Sequence, residues 1–272
     1  MITIRVRSWD KAKRALQNIE CERTNLRTRS AAVGGDELLY RGHANERWGL
    51  ITTLERASPT KLSLPDYYRQ VLKTRPQVEA FSDKRWELME LPEYSKWAES
   101  KRDLYGEKFP GYEYMIYLRH HGFPSPLLDW SKSPYVAAFF AFRSIPPEAR
   151  NVAIFCYLET VAGFKSWSGD DPQISVRGPY ARSHRRHFIQ QCKYTLCTTF
   201  ANGVLTYENH NEVFKSSGSS QDFLWKIVIP RTSRAEALKD LDKMNVNALS
   251  LMGSEDALIE TLSTREYVCG ED

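Results

Sequence analysis

The apolar positions of this 272-residue chain change rhythm several times, and each rhythm predicts an element. Ile2 to Arg7 alternates apolar and polar residues as a short strand does, and Ala12, Leu16 and Ile19 then recur at helical spacing across Lys11 to Ile19. Cys21 to Asp36 is polar and ends in Gly34-Gly35, which reads as a loop. Glu37 to Gly42 reads as a strand, with a second extended piece at Gly49 to Thr53. From Pro59 to Gly111, Tyr67, Val71, Leu72, Val78, Phe81, Leu88 and Trp97 are spaced as on two or three amphipathic helices laid over the core.

The middle of the chain is more apolar. Leu127-Leu128 forms a short run that stops at Asp129-Trp130-Ser131, and Ser133-Pro134 then supplies a cap and a first-turn proline for a helix. Tyr135 to Phe142 is apolar or aromatic throughout, so that helix belongs inside a domain. Asn151 to Leu158 and Asp222 to Pro230 are unbroken apolar runs of strand length, and Phe188 to Phe200 is enriched in threonine and aromatics as an extended segment is. A loop is expected at Ser166 to Asp171. Ala235, Leu238 and Leu241 mark a helix from Arg234 to Met244, Val246 to Leu251 reads as a strand, and Ser254 with Glu255 and Asp256 opens a last helix through Leu262. Strands and helices alternate without βαβ regularity. The expectation is one α+β domain over 1–272, a mixed sheet core with a helical segment inserted at 59–111.

Composition narrows this little. Hydrophobic residues make up 42% of the chain and aromatics 12%, enough for a large core, and the net charge of +4 permits a phosphate-bearing partner without requiring one. Cys21, Cys156, Cys192, Cys197 and Cys269 are odd in number and irregularly spaced, with no CxxC pair, which argues against a disulfide framework or a zinc site and suits a reducing cytoplasm. The opening residues lack the apolar core of a secretory signal, and no run is long enough to span a bilayer.

Candidate chemistry gathers at two places. Arg41 ends a strand just before Gly42, where it is either a core-edge ion pair or a clamp on phosphate or carboxylate. Asp129 and Ser131 sit where a buried strand hands over to a buried helix, although Asp129 can equally serve as a helix cap. Arg177, Arg182, Arg185 and Arg186, interleaved with Tyr180, His184 and His187, form a basic run that tracks a phosphate backbone or is simply solvated. His120-His121 is a weak metal candidate, because neighbours on a strand point to opposite faces. Walker, dinucleotide, zinc-peptidase and serine-hydrolase motifs are all absent, and no carboxylate cluster suggests a metal-dependent nuclease.

Tyr40-Arg41-Gly42 with Trp48 and Leu50, Arg119-His-His-Gly-Phe-Pro-Ser-Pro-Leu-Leu-Asp-Trp-Ser131, Ala137 to Ala141, Arg186, Gln190, Tyr194-Thr195 and Ile227 to Pro230 together resemble the FRG family in order and in letters. The chain departs from that pattern at Ser125-Pro126, where Thr-Arg is usual, and at Cys192, where glycine is usual. At greater remove the pattern resembles the ADP-ribosyltransferase fold, with Arg41, Ser131 and Gln190 in the three strand positions that carry its site. The resemblance implies NAD as cofactor, an oxocarbenium-like transition state, and a toxin or antiphage-defence effector. Arg41 would clamp pyrophosphate or ribose, with Tyr40, Gly42, His43, His120, His121 and Trp130 lining the cofactor. Asp129, Ser131 and Gln190 would share the catalytic roles, Gln190 having a sheet-edge role as its rival and Glu255-Asp256 being the fallback acidic pair. Arg182, Arg185 and Arg186 tilt the acceptor toward nucleic acid, RNA included, and an effector of this kind implies a protein antitoxin or inhibitor. The alternative is a non-catalytic module sensing a nucleotide or nucleic acid in the same cleft.

Overall fold

A computed structural model describes residues 1–28, 37–161, 165–166, 170–178, 185–216 and 221–270. The elements run β1 (Ile2–Arg5), α1 (Trp9–Thr28), β2 (Leu38–His43), α2 (Thr53–Ala57), α3 (Leu64–Ser82), α4 (Leu91–Glu99), α5 (Tyr112–His120), β3 (Leu128–Ser131) and α6 (Pro134–Arg143). They continue as β4 (Asn151–Thr160), β5 (Gln173–Arg177), α7 (Arg185–Ile189), β6 (Cys192–Ala201), β7 (Val204–Tyr207), α8 (His210–Ser216), β8 (Gln221–Pro230), α9 (Arg234–Lys243), α10 (Ala248–Met252) and α11 (Glu255–Thr264).

Among the described residues eight strands make one mixed sheet in the order β1-β8-β4-β2-β3-β6-β5, with β7 pairing the C-terminal part of β6 on the edge that β3 leaves free. Only β1 with β8 is a parallel pairing among these strands. The fold is therefore α+β, with strands drawn from both ends of the chain. Its centre, β4, is covered on both faces: Val152, Ile154, Cys156 and Leu158 join the core under α1, α6 and α9, while Ala153, Phe155 and Tyr157 join a second core behind the sheet. Coverage on two sides is why this strand is an unbroken apolar run rather than an alternating one. A third core packs α3, α4 and α5 against β6 and β7, where Tyr68 and Tyr94 stack at 3.7 Å.

The helix read from Ser133 onward forms as expected. Ser133 accepts from the Val136 amide at 3.3 Å, Pro134 opens the first turn, and Val136, Ala137, Ala138, Phe139, Ala141 and Phe142 are buried. Its close seat depends on Gly42, since a Cβ built there would lie 1.8 Å from the Ala137 carbonyl oxygen and 2.7 Å from the Ala141 nitrogen. Gly42 is thus a strand residue paired with Ile154, on which α6 rests.

Other expectations give way to local hydrogen bonding. Val246 to Leu251 is not a strand: Asn247 and Ser250 form a reciprocal capping box that starts α10, and Ala248 and Leu251 are buried three residues apart. The extended piece at Gly49 to Thr53 ends in a second capping box, Thr52 with Glu55, which starts α2. The extended segment at Phe188 to Phe200 begins later, because Phe188 and Ile189 close α7 and β6 starts at Cys192. Helix α5 was not expected, and it places His120 in its last turn and His121 at its C-cap, so the strand argument applied to that pair does not hold. Among the described residues no helix is long and apolar enough to cross a membrane.

Candidate functional site

The central strands part company at β2. This strand pairs with β4 at every residue from Leu38 to His43, yet pairs with β3 through Tyr40 and Ser131 alone. Side chains alternate across a strand, so Leu38, Tyr40 and Gly42 face the α1 and α6 layer while Leu39, Arg41 and His43 face the other side. Arg41 lies where the fork opens. Its Nη1 donates to the Asp129 carbonyl at 2.7 Å and its Nε donates to His43 Nε2 at 3.0 Å.

A guanidinium can only donate, which settles the histidine's tautomer. His43 Nε2 accepts, so Nδ1 carries the proton and donates to the Trp48 carbonyl at 3.2 Å. The ring is neutral: burial, then the neighbouring Arg41 charge, push its pKa down to about 3. Burial also lowers Arg41 itself, to about 10, against an opposing pull from Asp129, and the group stays protonated at neutral pH. Its partners are an imidazole nitrogen and a carbonyl oxygen, and the residue is partly exposed.

Behind the fork, Arg119 in the last turn of α5 grips Asp129 with two parallel contacts, Nε to Oδ1 and Nη2 to Oδ2 at 2.5 Å. Arg119 Nη1 also donates to Thr53 Oγ1 at 3.1 Å, and that hydroxyl donates to the Ser125 carbonyl and accepts from its amide. The Asp129 side chain is 40% exposed and that of Arg119 only 9%. Burial alone would raise the Asp129 carboxyl, but Arg119 overcomes it and holds the group below its ordinary range. Asp129 is consequently a fixed anion and a poor proton acceptor. The capping role open to it from sequence falls to Ser133 instead.

Residues 36–150 match the family model of the FRG domain. The chain carries an FRG domain. The matched residues of the FRG domain hold β2, the helices α2 to α5, β3 and α6, hence Arg41, Arg119, Asp129 and Ser131. The strands β4 to β8 that complete its sheet lie beyond them. No curated protein and no solved structure matches the chain.

The fold does not bring the guanidinium at 41, the hydroxyl at 131 and, beyond the FRG domain, the amide at 190 to one point. Ser131 pairs with Tyr40, so it faces the side of the sheet opposite Arg41. Its hydroxyl donates to the Gln190 carbonyl at 2.8 Å and accepts from the Ser133 amide at 3.0 Å, which ties the β3–α6 turn to the segment before β6. The Gln190 amide donates to the Leu251 carbonyl at 3.1 Å and so anchors α10. Both are positioning groups.

Several other candidates also serve the framework. The Tyr40 hydroxyl donates to Glu20 on α1 at 3.2 Å, away from Arg41. Trp130 is buried and donates its indole N–H to Thr195 Oγ1 at 2.9 Å, which in turn meets His210 Nε2 at 2.9 Å. His120 Nε2 lies 2.9 Å from the Tyr194 hydroxyl, on the Asp129 side, and His121 is exposed against the Tyr117 ring. In the basic run, Arg185 is exposed, Arg186 donates to the Met252 carbonyl at 3.3 Å, and Arg182 lies outside the described residues. Glu255 and Asp256 are exposed in the first turn of α11, over its Ser254 cap, and take no part in the fork's hydrogen bonds.

Arg119, Thr53 and His210 were missed. Arg119 opens the Arg-His-His-Gly string, and that string, ending close before Asp129, was the available signal. Thr53 and His210 carry none, being single polar residues brought in by distant segments.

Proposed function

We propose that this FRG domain binds NAD and transfers its ADP-ribose unit to a macromolecule, nucleic acid ahead of protein, with Arg41 as the clamp on the pyrophosphate. The observation that carries the reading is the state of Arg41: a permanently charged fork, partly exposed at the parting of two central strands, balanced by dipoles and by no hydrogen-bonded carboxylate. A bound phosphate would add a directly hydrogen-bonded anion to the electrostatic pull of Asp129, in a bidentate geometry that guanidinium suits.

When bound, NAD supplies a nicotinamide–ribose bond whose cleavage builds positive charge on the ribose. The chain's part is to hold and to stabilise. Neutral His43 orients Arg41 without competing for the anion, the Asp129 carbonyl seats Arg41 while its carboxylate, on the Ser131 face of β3, holds Arg119, and Ser131 and Gln190 keep β3, α6 and α10 in place. Arg185 is the exposed candidate for contact with a nucleic-acid acceptor. A toxin or defence effector acting in the cytoplasm, held silent by a protein inhibitor, is the setting this activity would have.

One observation favours a second reading, a non-catalytic nucleotide sensor: the carboxylate nearest the fork is committed to Arg119 and is no proton acceptor. Incubation with radiolabelled NAD and, separately, RNA, DNA and cell protein distinguishes the two. Arg41→Ala should lower transfer by about 30–150-fold, the loss of one charge-assisted contact worth roughly 2–3 kcal/mol, while circular dichroism stays native. NAD binding without label transfer selects the sensor. Neither binding nor transfer removes both.

A further inference from the structure

Trp48 is anomalous beside the rest of this core. It keeps 48% of its surface exposed, whereas Trp9, Trp130 and Trp225 are buried. The loop that carries it is nevertheless tightly built. The Trp48 amide donates to the Asn45 carbonyl at 3.1 Å, and the Arg47 amide donates to Asn45 Oδ1 at 2.9 Å, with Asn45 itself buried. Glu46 is held by Arg5 at 2.9 Å and Asn151 at 2.6 Å, and its carbonyl accepts from Lys226 at 2.5 Å. Leu50, two residues on, is fully buried. A loop this constrained does not leave a large aromatic in water through looseness.

The surroundings say what the ring is for. The Trp48 carbonyl accepts the His43 Nδ1 proton, and the two rings meet edge to face at 6.3 Å. Across that single imidazole lies the Arg41 guanidinium. Arg41, Lys226 and Arg56 are all close enough to depress the His43 pKa, so the field around this patch is positive, and Arg47 and Arg56 are exposed. An exposed indole one ring away from a phosphate-seeking arginine, in a cationic field, is the arrangement that holds a base by stacking and its phosphate by charge.

We propose that Trp48 is the stacking platform for the base of the nucleotide whose phosphates Arg41 clamps. The inference rests on the proposed function and deepens it, because it assigns base recognition to a residue outside the three strand positions of the transferase pattern. The ligand class is a base-bearing nucleoside diphosphate, and bare phosphate is excluded as the full ligand.

Calorimetric titration of the full chain with inorganic pyrophosphate, ADP-ribose and NAD tests it. Trp48→Ala should weaken ADP-ribose, NAD or both by about tenfold or more and leave pyrophosphate unchanged, whereas Arg41→Ala should weaken all three. Equal losses for ADP-ribose and NAD assign adenine to the platform; a loss for NAD alone assigns nicotinamide. Trp48→Phe, which keeps a smaller ring, should recover part of the affinity and rules out a folding defect. Unchanged binding in Trp48→Ala, or a matching loss for pyrophosphate, overturns the platform while leaving the clamp at Arg41 intact. A wild-type chain that binds none of the three overturns both readings.

Discussion

Gly42→Ala is expected to destabilise the protein by about 3 kcal/mol or more, at the upper end of the usual cost of overpacking. The reason is the identity of the atoms it meets. The nearest three are the Ala137 carbonyl oxygen and carbon and the Ala141 nitrogen, at 1.8, 2.9 and 2.7 Å, all backbone of α6. A side chain in the way can change rotamer, but a helix backbone cannot. Relief requires α6 to rise from β2, which exposes part of a face built from Val136, Ala137, Phe139 and Phe142. The measurement is the urea midpoint at constant m-value. Gly122→Ala is the control, since its φ of +87° strains a substituted residue but no atom lies within 4 Å of the added Cβ. Gly42 has no positive φ, so its loss reads the clash with α6, whereas any loss in Gly122→Ala reads backbone strain alone and should be smaller. A Gly42→Ala midpoint equal to wild type would mean that α6 does not rest on β2 as described.

The second large effect is acid lability. His43 and His210 both have pKa values pushed down to about 3 in the folded chain, by burial first and by the Arg41 charge second. In the unfolded chain each would titrate near 6.5. Between those values the unfolded state binds more protons than the folded one, so stability is complete above about pH 6.5 and falls as pH drops toward 3. Two such groups give a slope of up to roughly 2.7 kcal/mol per pH unit in the middle of that window. Glu159 works the other way, because burial raises its carboxyl despite Lys165, and it offsets at most one of the two protons. Carboxylates held low by cationic partners, Asp129 and Asp242 among them, add to the loss only below the ordinary carboxylate range. Urea midpoints at pH 7, 6, 5 and 4.5 should therefore decline steeply, and His210→Gln should flatten the decline even if it lowers stability at pH 7. A flat profile from pH 7 to 5 would show that neither ring is held neutral.

Much of the fold was legible before any coordinates. Asn151 to Leu158 and Asp222 to Pro230 read as buried strands and are β4 and β8, and Ser133-Pro134 opens α6 with the expected cap. These signals are strong because they are local: a cap, a proline or an apolar run acts through its own backbone. The errors were local as well. At Val246 to Leu251 the apolar alternation imitated a strand, and the Asn247–Ser250 capping box, present in the letters, was the signal that counted.

The site divides differently. Arg41, Asp129 and Ser131 were identifiable by type and by their places at strand ends, and the FRG resemblance could be read from the same stretch. Their relation to one another could not. A strand's period of two assigns faces only once its neighbour's register is known, and the register of Tyr40 with Ser131 sends Arg41 to the opposite side of the sheet. Nor does a residue's chemistry reveal where it is already engaged: Gln190 holds α10 across 61 residues of sequence, and Arg119 holds Asp129.

By itself, then, the sequence determined the α+β class, the buried central strands, the capped apolar helix and the family to which residues 36–150 belong, since each follows from short-range backbone preferences and a contiguous string of letters. The tertiary structure alone decided that β2 and β3 part beside Arg41, that Asp129 is a locked anion, and that Ser131 and Gln190 are framework. Those outcomes depend on register and on which side chains meet once the strands are placed, and a stretch read by itself fixes neither.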